Sequence, residues 1–476
     1  MMINKVYAKE RRKSALGFDL HETPFDSGDN PCDTSGRTES QSINLQGINA
    51  RVDVVTVNGL RRTKDDIVAS TVKDLFNATN FEEIIKKAHG VRQKLLKLGC
   101  FKSIAIHIDT SSGPAATPSG FEVNYEVSEL KRITGGISTN ISNSGEGIFS
   151  FGGIFPNLWG RGESIKGDMS YGSGKSNTAN ISIVKPFISP HNLVGSLSAV
   201  KSYDEPGSSG YKLFENALIA ECGFTSFPGW NHKLQYEASW RLMGADTKQT
   251  SFFVRNEAGS TLKSSVRHVW NMDSRNSTIF PTCGRLMQMT TEFAGLGGNV
   301  NFLKNEVRFQ KTIPIPNDDV ILQGGFNVGI LNPIGDGDVD VIDKFFLGGP
   351  LGFRGFTGRG IGPKEGDDYI GAKMYWATGL HVYTPLPYRP GEGGVGDLFK
   401  FHLFTNIGNI GDFDFSGFKS FLEDQKNNLR FALGLGFVLK LGNMARLELN
   451  LVYPWKVGES DNPVTGLQIG VGGDFL

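Results

Sequence analysis

The chain has 476 residues, with 49 Lys plus Arg against 49 Asp plus Glu, so its formal net charge at pH 7 is zero. That balance removes the long-range attraction to phosphate on which nucleic-acid binders depend, and no nucleic-acid partner is expected. Glycine supplies 61 residues, about 13 % against an ordinary level of about 7 %. The excess is one-sided: residues 1–130 hold 9 glycines and residues 131–476 hold 52, while acids and bases balance within each part. Two regions built on different rules meet near residue 130. No apolar run reaches 18 residues, so a transmembrane helix is not expected. The opening MMINKVYAKERRKSALGF lacks the apolar stretch of a secretory signal. Neither absence speaks against a transmembrane β-barrel, whose strands are short, alternating and weakly hydropathic. The four cysteines (Cys32, Cys100, Cys222, Cys283) are far apart and form no C-x-x-C, so neither a disulfide framework nor a zinc knuckle is expected.

Residues 1–45 are polar throughout and read as a flexible tail. Residues 46–130 read as one small α/β unit of order β-α-α-β-β. RVDVVTV (51–57) alternates and ends at Asn58-Gly59. Thr63 is the expected cap of a first helix, and Thr79 or Asn80 that of a second, which carries Glu82 and Glu83 in its first turn and Gly99 at its end. Two alternating strands follow, around residues 104–108 and 121–127, joined by the turn-rich SSGPAATPSG.

From residue 131 to 476 no long segment keeps a helical period. Sixteen alternating stretches occur instead, from KRITGGISTNI (131–141) to TGLQIGVGGDF (465–475), separated by Gly, Pro, Asn and Asp. In residues 431–441, Phe431, Leu433, Leu435, Phe437, Leu439 and Leu441 share a face opposite Ala432, Gly434, Gly436, Val438 and Lys440. In residues 445–453, Leu447, Leu449, Leu451 and Tyr453 oppose Arg446, Glu448 and Asn450. An apolar face outward to lipid and a charged face inward to a wet lumen is the barrel pattern. The number of strands in series and the need for closure in hydrocarbon favour a membrane barrel over a sandwich. The fold class expected is therefore an all-β transmembrane barrel of 16 antiparallel strands (131–476) preceded by one small α/β domain. Even parity leaves both barrel ends on the side of the short turns, with the long connections 244–261, 332–370 and 407–426 on the other.

The connection 332–370 contains KFFLGGPLGFRGFTGRGIGP, whose core Phe353-Arg354-Gly355-Phe356 resembles the V/I-R-G-F/Y signature of the outer-membrane protein assembly and translocation barrels that carry POTRA domains. It lies between the eleventh and twelfth strands, where that superfamily carries it. The unit 46–130 is similar to a POTRA domain. Phe404-x-Asn406-x-Gly408 resembles the family's F-x-D-x-G strand with Asn406 for the aspartate, and Arg430-x-Ala432-x-Gly434-x-Gly436 resembles the R-x-S-x-G-x-G strand. A single POTRA unit and the stretch LGNMARLELN look most like the mitochondrial sorting-and-assembly-machinery core barrels.

An arginine on a loop that folds into the lumen needs a carboxylate, because an unpaired buried charge is costly. Asn406 cannot neutralise Arg354. Glu448, on the lumen face of the fifteenth strand, is the expected counter-charge, with another inward acid as the alternative. The resemblance further implies a working seam between the first strand (Ile133, Gly135, Ile137, Thr139) and the last (Gly470, Gly472, Gly473), where an incoming precursor strand adds by β-augmentation. Glycines there leave few cross-strand side-chain contacts; easing of strand curvature is the alternative reading.

The implied function is β-barrel insertion in the mitochondrial outer membrane, with the POTRA unit in the intermembrane space and no covalent chemistry. Its implied partners are the lipid bilayer, unfolded β-barrel precursors, metaxin-like accessory subunits and the cristae-organising complex of the inner membrane. A protein-conducting pore of the same superfamily and a passive solute porin are the alternatives. No cofactor or metal is expected: the eight histidines form no ligand spacing. Gly172-Ser-Gly-Lys-Ser176 lacks the first glycine of a phosphate loop.

Overall fold

Four valines in an eight-residue run form β2 (Arg51–Asn58), and the rest of the small unit assembles on it. The computed structural model describes residues 6–7, 47, 49–112, 116–141, 147–189, 191–247, 250–315, 320–335, 337–386, 398–412, 423, 425–441 and 445–472. The tail expected over residues 1–45 (Val6–Tyr7 apart) and Gly473 lie outside them. The chain divides into two units: Met1–Gly135 with Gly153–Lys166 and Ser182–Ser196, and the remainder.

In the first unit, β1 (Val6–Tyr7), β2, β3 (Phe101–Thr110) and β4 (Gly120–Glu129) form a sheet of order β1-β2-β4-β3, with β2 parallel and β3 antiparallel to β4. Helices α1 (Asp65–Val72) and α2 (Phe81–Lys97) complete the β-α-α-β-β order. One apolar cluster joins them, including Val55, Val72, Leu75, Ile84, Leu95, Val123 and Tyr125. Asn80 caps α2 by accepting from the Glu83 N–H at 2.8 Å.

Thr63 does not cap α1. The N-cap position falls to Lys64, which makes no side-chain cap bond. Thr63 is buried instead, and its hydroxyl donates to Glu129 Oε1 at 2.7 Å. The same carboxylate accepts from the backbone N–H groups of Arg61, Arg62 and Thr63 at 3.0–3.1 Å. Asn157 Nδ2 donates to Thr63 Oγ1 at 2.8 Å, and Arg62 Nη1 donates to the Pro156 carbonyl at 3.2 Å, so the turn at 156–160 is tied into this unit.

Burial opposes the charge on Glu129, but the N–H donors and the Thr63 hydroxyl outweigh it and hold the carboxyl below its ordinary value. A carboxyl depressed on folding contributes stability above its unfolded value, about 4.3, and loses it as pH falls through the lower folded value. Amide protection at residues 61–63, corrected for intrinsic exchange rates, should hold from neutral pH down to about pH 5 and decline below about pH 4. Glu129→Gln should lower that protection at neutral pH and flatten the decline.

The larger unit contains most of a sixteen-stranded sheet. Its strands are β5 (Thr134–Ile141), β6 (Gly147–Pro156), β7 (Ser164–Gly172), β8 (Asn177–Pro186), β9 (Val194–Asp204), β10 (Tyr211–Phe227), β11 (Trp230–Ala245) and β12 (Gly259–Asp273). After them come β13 (Gly284–Gly298), β14 (Phe302–Ile315) and β15 (Val320–Pro333). A two-stranded hairpin, β16 (Lys364–Glu365) with β17 (Asp368–Tyr369), stands apart from the sheet. The sheet resumes with β18 (Met374–Pro385), β19 (Phe399–Gly411), β20 (Arg430–Leu441), β21 (Ala445–Lys456) and β22 (Gly466–Gly472). Each strand neighbours the next in chain order, and β5 and β22 stand at the two ends of that order. A short helix, α3 (Phe252–Asn256), lies between β11 and β12.

Burial runs opposite to that of a soluble sheet. In β21, Arg446, Glu448 and Asn450 are buried, while Leu451 is 55 % and Trp455 71 % exposed. Such a strand is stable only where its outer face meets lipid, so the sheet is a transmembrane barrel. Several strands are longer than the roughly 9–11 residues needed to span a bilayer; β10 has 17.

Among the cysteines, Cys100 and Cys222 are free thiols and Cys283 is disulfide-bonded, which the sequence spacing did not anticipate. Burial and the nearby Glu129 carboxylate push the Cys100 thiol up to about 12, so it is inert at neutral pH.

Candidate functional site: the infolded loop and the strands that hold it

Between β15 and β18 the chain leaves the sheet and packs against the inner faces of other strands. Glycine-rich sequence allows that path, and Gly355 shows why. Its φ is +88°, and a Cβ there would stand 3.0 Å from Val452 Cγ1 and 3.1 Å from Ala432 Cβ. The backbone touches the barrel wall with nothing between. Ala432, the departure from serine in the β20 motif, is the surface it meets.

At the centre of this contact Arg354 Nε donates to Glu448 Oε2 at 2.9 Å, and neither side chain has any solvent exposure. Arg446 Nη2 lies 2.9 Å from the other carboxylate oxygen, and Asn450 Nδ2 donates to Glu448 Oε2 at 3.0 Å. The Arg354 guanidinium also sits over the Phe404 ring, 5.1 Å from its centroid. Phe353 and Phe356, on either side of the Arg354-Gly355 pair, meet edge to face at 5.6 Å. The structure thus brings together Phe353, Arg354, Gly355, Phe356 and Glu448. Asn406 is fully buried on β19 and makes no side-chain hydrogen bond among the described residues.

Gly408 and Gly434 of the two strand motifs make room for aromatic rings. A Cβ on Gly408 would come 2.8 Å from the Phe353 ring and 2.6 Å from the Trp376 carbonyl oxygen. One on Gly434 would come 2.5 Å from the Phe404 ring. Gly408→Ala should therefore displace Phe353 and destabilise the barrel by about 1–3 kcal/mol, the usual cost of overpacking. A lowered heat-modifiability transition on unboiled gels would register it.

Several anchors of the loop were not singled out from sequence. Arg241 of β11 donates from Nη1 and Nη2 to the two oxygens of Asp343 at 2.9 and 3.0 Å, both groups being buried. Lys304 Nζ donates to the Asp343 carbonyl at 2.8 Å. Arg430 pairs with Asp461 at 2.9 Å, and Asp461 Oδ1 accepts from the Gly362 N–H. Gln468 of β22 accepts from the Gly355 N–H at 3.0 Å and donates to the Phe356 carbonyl at 3.1 Å. His381 and His402 stack beside the lock, hydrogen-bonded to each other at 3.0 Å, with His402 Nδ1 3.1 Å from Asn450 Oδ1. The available signal was a polar residue at an inward position, which marks Arg241, Gln468 and both histidines but names no partner.

Of the expected seam residues, Gly135, Ile137 and Thr139 lie on β5 and Ile133 just before it; all are exposed, Ile137 at 73 %. Gly470 and Gly472 lie on β22, both buried.

A lipid-facing barrel whose inner wall carries its own arginine-locked loop, with a small α/β unit ahead of it, is an outer-membrane β-barrel protein. The Omp85 superfamily domain matches residues 157–475. The chain is 40 % identical to sorting and assembly machinery component 50 homolog B of Xenopus laevis, over 91 % of this chain and 92 % of that one. It is also 40 % identical to the sorting and assembly machinery component 50 homolog of Homo sapiens, over 92 % and 93 %, and 32 % identical to a SAM50-like protein of Drosophila melanogaster, over 93 % and 98 %. Among solved structures, BamA from Haemophilus ducreyi lacking POTRA domains 1–3 shares the fold, with a TM-score of 0.73 at 15 % identity over 89 % of this chain and 84 % of that one. The chain belongs to the Omp85 superfamily and, within it, to the family of sorting and assembly machinery component 50 proteins. It is an assembly factor with a role in making β-barrels, not an enzyme.

Proposed function

We propose that the protein is the core insertase for β-barrel precursors in the mitochondrial outer membrane, its α/β POTRA unit facing the intermembrane space. The incoming strand pairs at the seam between β5 (with Ile133, Gly135, Ile137 and Thr139) and β22 (with Gly470 and Gly472); Gly473, expected in the same seam, lies outside the described residues. Main-chain hydrogen bonds supply the affinity and the free edge supplies the template. Arg354 and Glu448, with Phe353, Gly355 and Phe356, lock the loop that supports this wall, and Asn406 packs beside them. The observation that carries the reading is that buried Arg354–Glu448 pair, in a family whose relatives bear sorting-and-assembly names. A loop held against the inner wall argues against a passive solute porin. The mitochondrial setting implies metaxin-like subunits and the cristae-organising complex as neighbours, which affinity purification from mitochondria would test.

Single cysteines at residues 133–139, in a version otherwise free of cysteine, should form disulfides with the last strand of an arrested barrel precursor in one register. No adducts at 133–139, with adducts instead at cysteines placed on inward positions of the other strands, would indicate a conducting pore and overturn the insertase reading.

A further inference from the structure

We infer that the loop segment Pro350–Phe356 is a latch on the final strand, so that β22 cannot leave its place without the loop releasing it. Gln468, Gly470 and Gly472, three of the four alternate positions of β22 that share the inward side, are taken by this one segment, while a Cβ on the fourth, Gly466, would meet nothing within 4 Å. Gln468 clamps it by accepting from the Gly355 N–H and donating to the Phe356 carbonyl. The two glycines leave a socket for the next residues back. A Cβ on Gly470 would stand 3.1 Å from Leu351 Cδ2 and 3.3 Å from the Pro350 carbonyl oxygen, and one on Gly472 2.7 Å from Leu351 Cδ1. Leu351 is 1 % exposed.

Gly470 and Gly472 are thus small because a loop side chain occupies the space that theirs would need. The latch is continuous with the lock. Glu448, which holds Arg354, is the register partner of Gly470 across β21 and β22. Gly355 rests on Val452 and Ala432, one and two strands further in. One seven-residue segment therefore spans β20, β21 and β22; its hold on β22 is two hydrogen bonds together with Leu351 and Pro350 packed on the glycines, and just before the strand the Val464 N–H donates to the Gly355 carbonyl at 2.9 Å. That is a small set of contacts, of the kind that opens locally before the rest of a structure. The consequence, that releasing the latch frees β22 for precursor exchange, rests on the seam proposed above.

The test is amide hydrogen exchange of the full-length protein in lipid nanodiscs. Gln468→Ala removes the clamp and Leu351→Gly removes the packing. Each should speed exchange over residues 466–472 about tenfold, given the usual worth of one or two hydrogen bonds, and leave β11 and β12 unchanged. Gly472→Leu should expel Leu351 and speed exchange at residues 350–356, and Leu351→Gly in the same chain should restore it. Unchanged exchange at 466–472 in both single variants, or failure of the paired variant to recover, would overturn the latch. Heat-modifiability establishes that each variant is folded, and Leu351→Gly, which only deletes atoms, guards against a misfolded Gly472→Leu. Precursor insertion by the Gln468→Ala protein separates the two readings. Faster exchange with altered insertion supports both; faster exchange with unaltered insertion leaves the latch standing and removes the seam.

Discussion

Glu448→Ala should weaken the barrel by about 3–5 kcal/mol, the range for breaking a buried ion pair from one side. The carboxylate stands between two guanidinium groups, Arg354 at 2.9 Å and Arg446 at 2.9 Å. Removing it leaves two cations facing each other in a space closed to water and deprives Asn450 of its acceptor. Arg354→Ala should cost less, because Glu448 keeps Arg446 and Asn450 as partners. Glu448→Gln, which preserves shape and some hydrogen bonding, should fall between. Denaturant unfolding in vesicles, with heat-modifiability as a second readout, would rank the three. If Glu448→Ala proved as stable as the native chain, the loop would be held by its other contacts and the lock would carry no weight.

A second large effect is expected at Arg241. Its guanidinium makes a two-pronged contact with Asp343, and the two side chains are 2 % and 7 % exposed. Arg241→Ala leaves Asp343 buried and should cost about 3 kcal/mol or more. The damage should be local to the first half of the loop. Val341 and Lys344, beside Asp343, are buried in the native protein, so trypsin should begin to cut after Lys344 in the variant. The Arg354 end, more than ten residues on, has its own anchors and should stay protected. Asp343→Asn should be milder, since it removes the charge but keeps an acceptor. A double-mutant cycle between the two positions should show coupling well above 0.5 kcal/mol, the level at which independent sites add. Full additivity would mean that the pair is incidental to the loop's placement.

Legibility differed sharply between elements. The strands of residues 431–441 and 445–453 could be read face by face, because a period of two is a local property and every second side chain declares its side. Glu448 stood out for the same reason, as the acid on the inward face of β21. Residue type and the first-turn acids narrowed the second helix's cap to Thr79 or Asn80, of which Asn80 is the one used, whereas Thr63 satisfied the same rule and is used otherwise. What diverted it was Glu129, 66 positions away, whose carboxylate collects the Thr63 hydroxyl and the surrounding N–H groups. Cys283 likewise could not be paired by spacing.

The sequence by itself determined that this is a sixteen-stranded membrane barrel with an α/β unit before it, and that an arginine-bearing, glycine-rich loop lies between its eleventh and twelfth strands. Those features rest on alternation, turn chemistry and a short motif, all contained within a few neighbouring residues. Only the tertiary structure decided which inward acid meets Arg354, that Arg241 holds Asp343 about a hundred positions away, and that Gly470 and Gly472 are small because Leu351 sits on them. A strand states which way each side chain points. What it points at depends on the path of a loop inside a closed wall, and that path is fixed only when distant strands, loop and lumen are in place together.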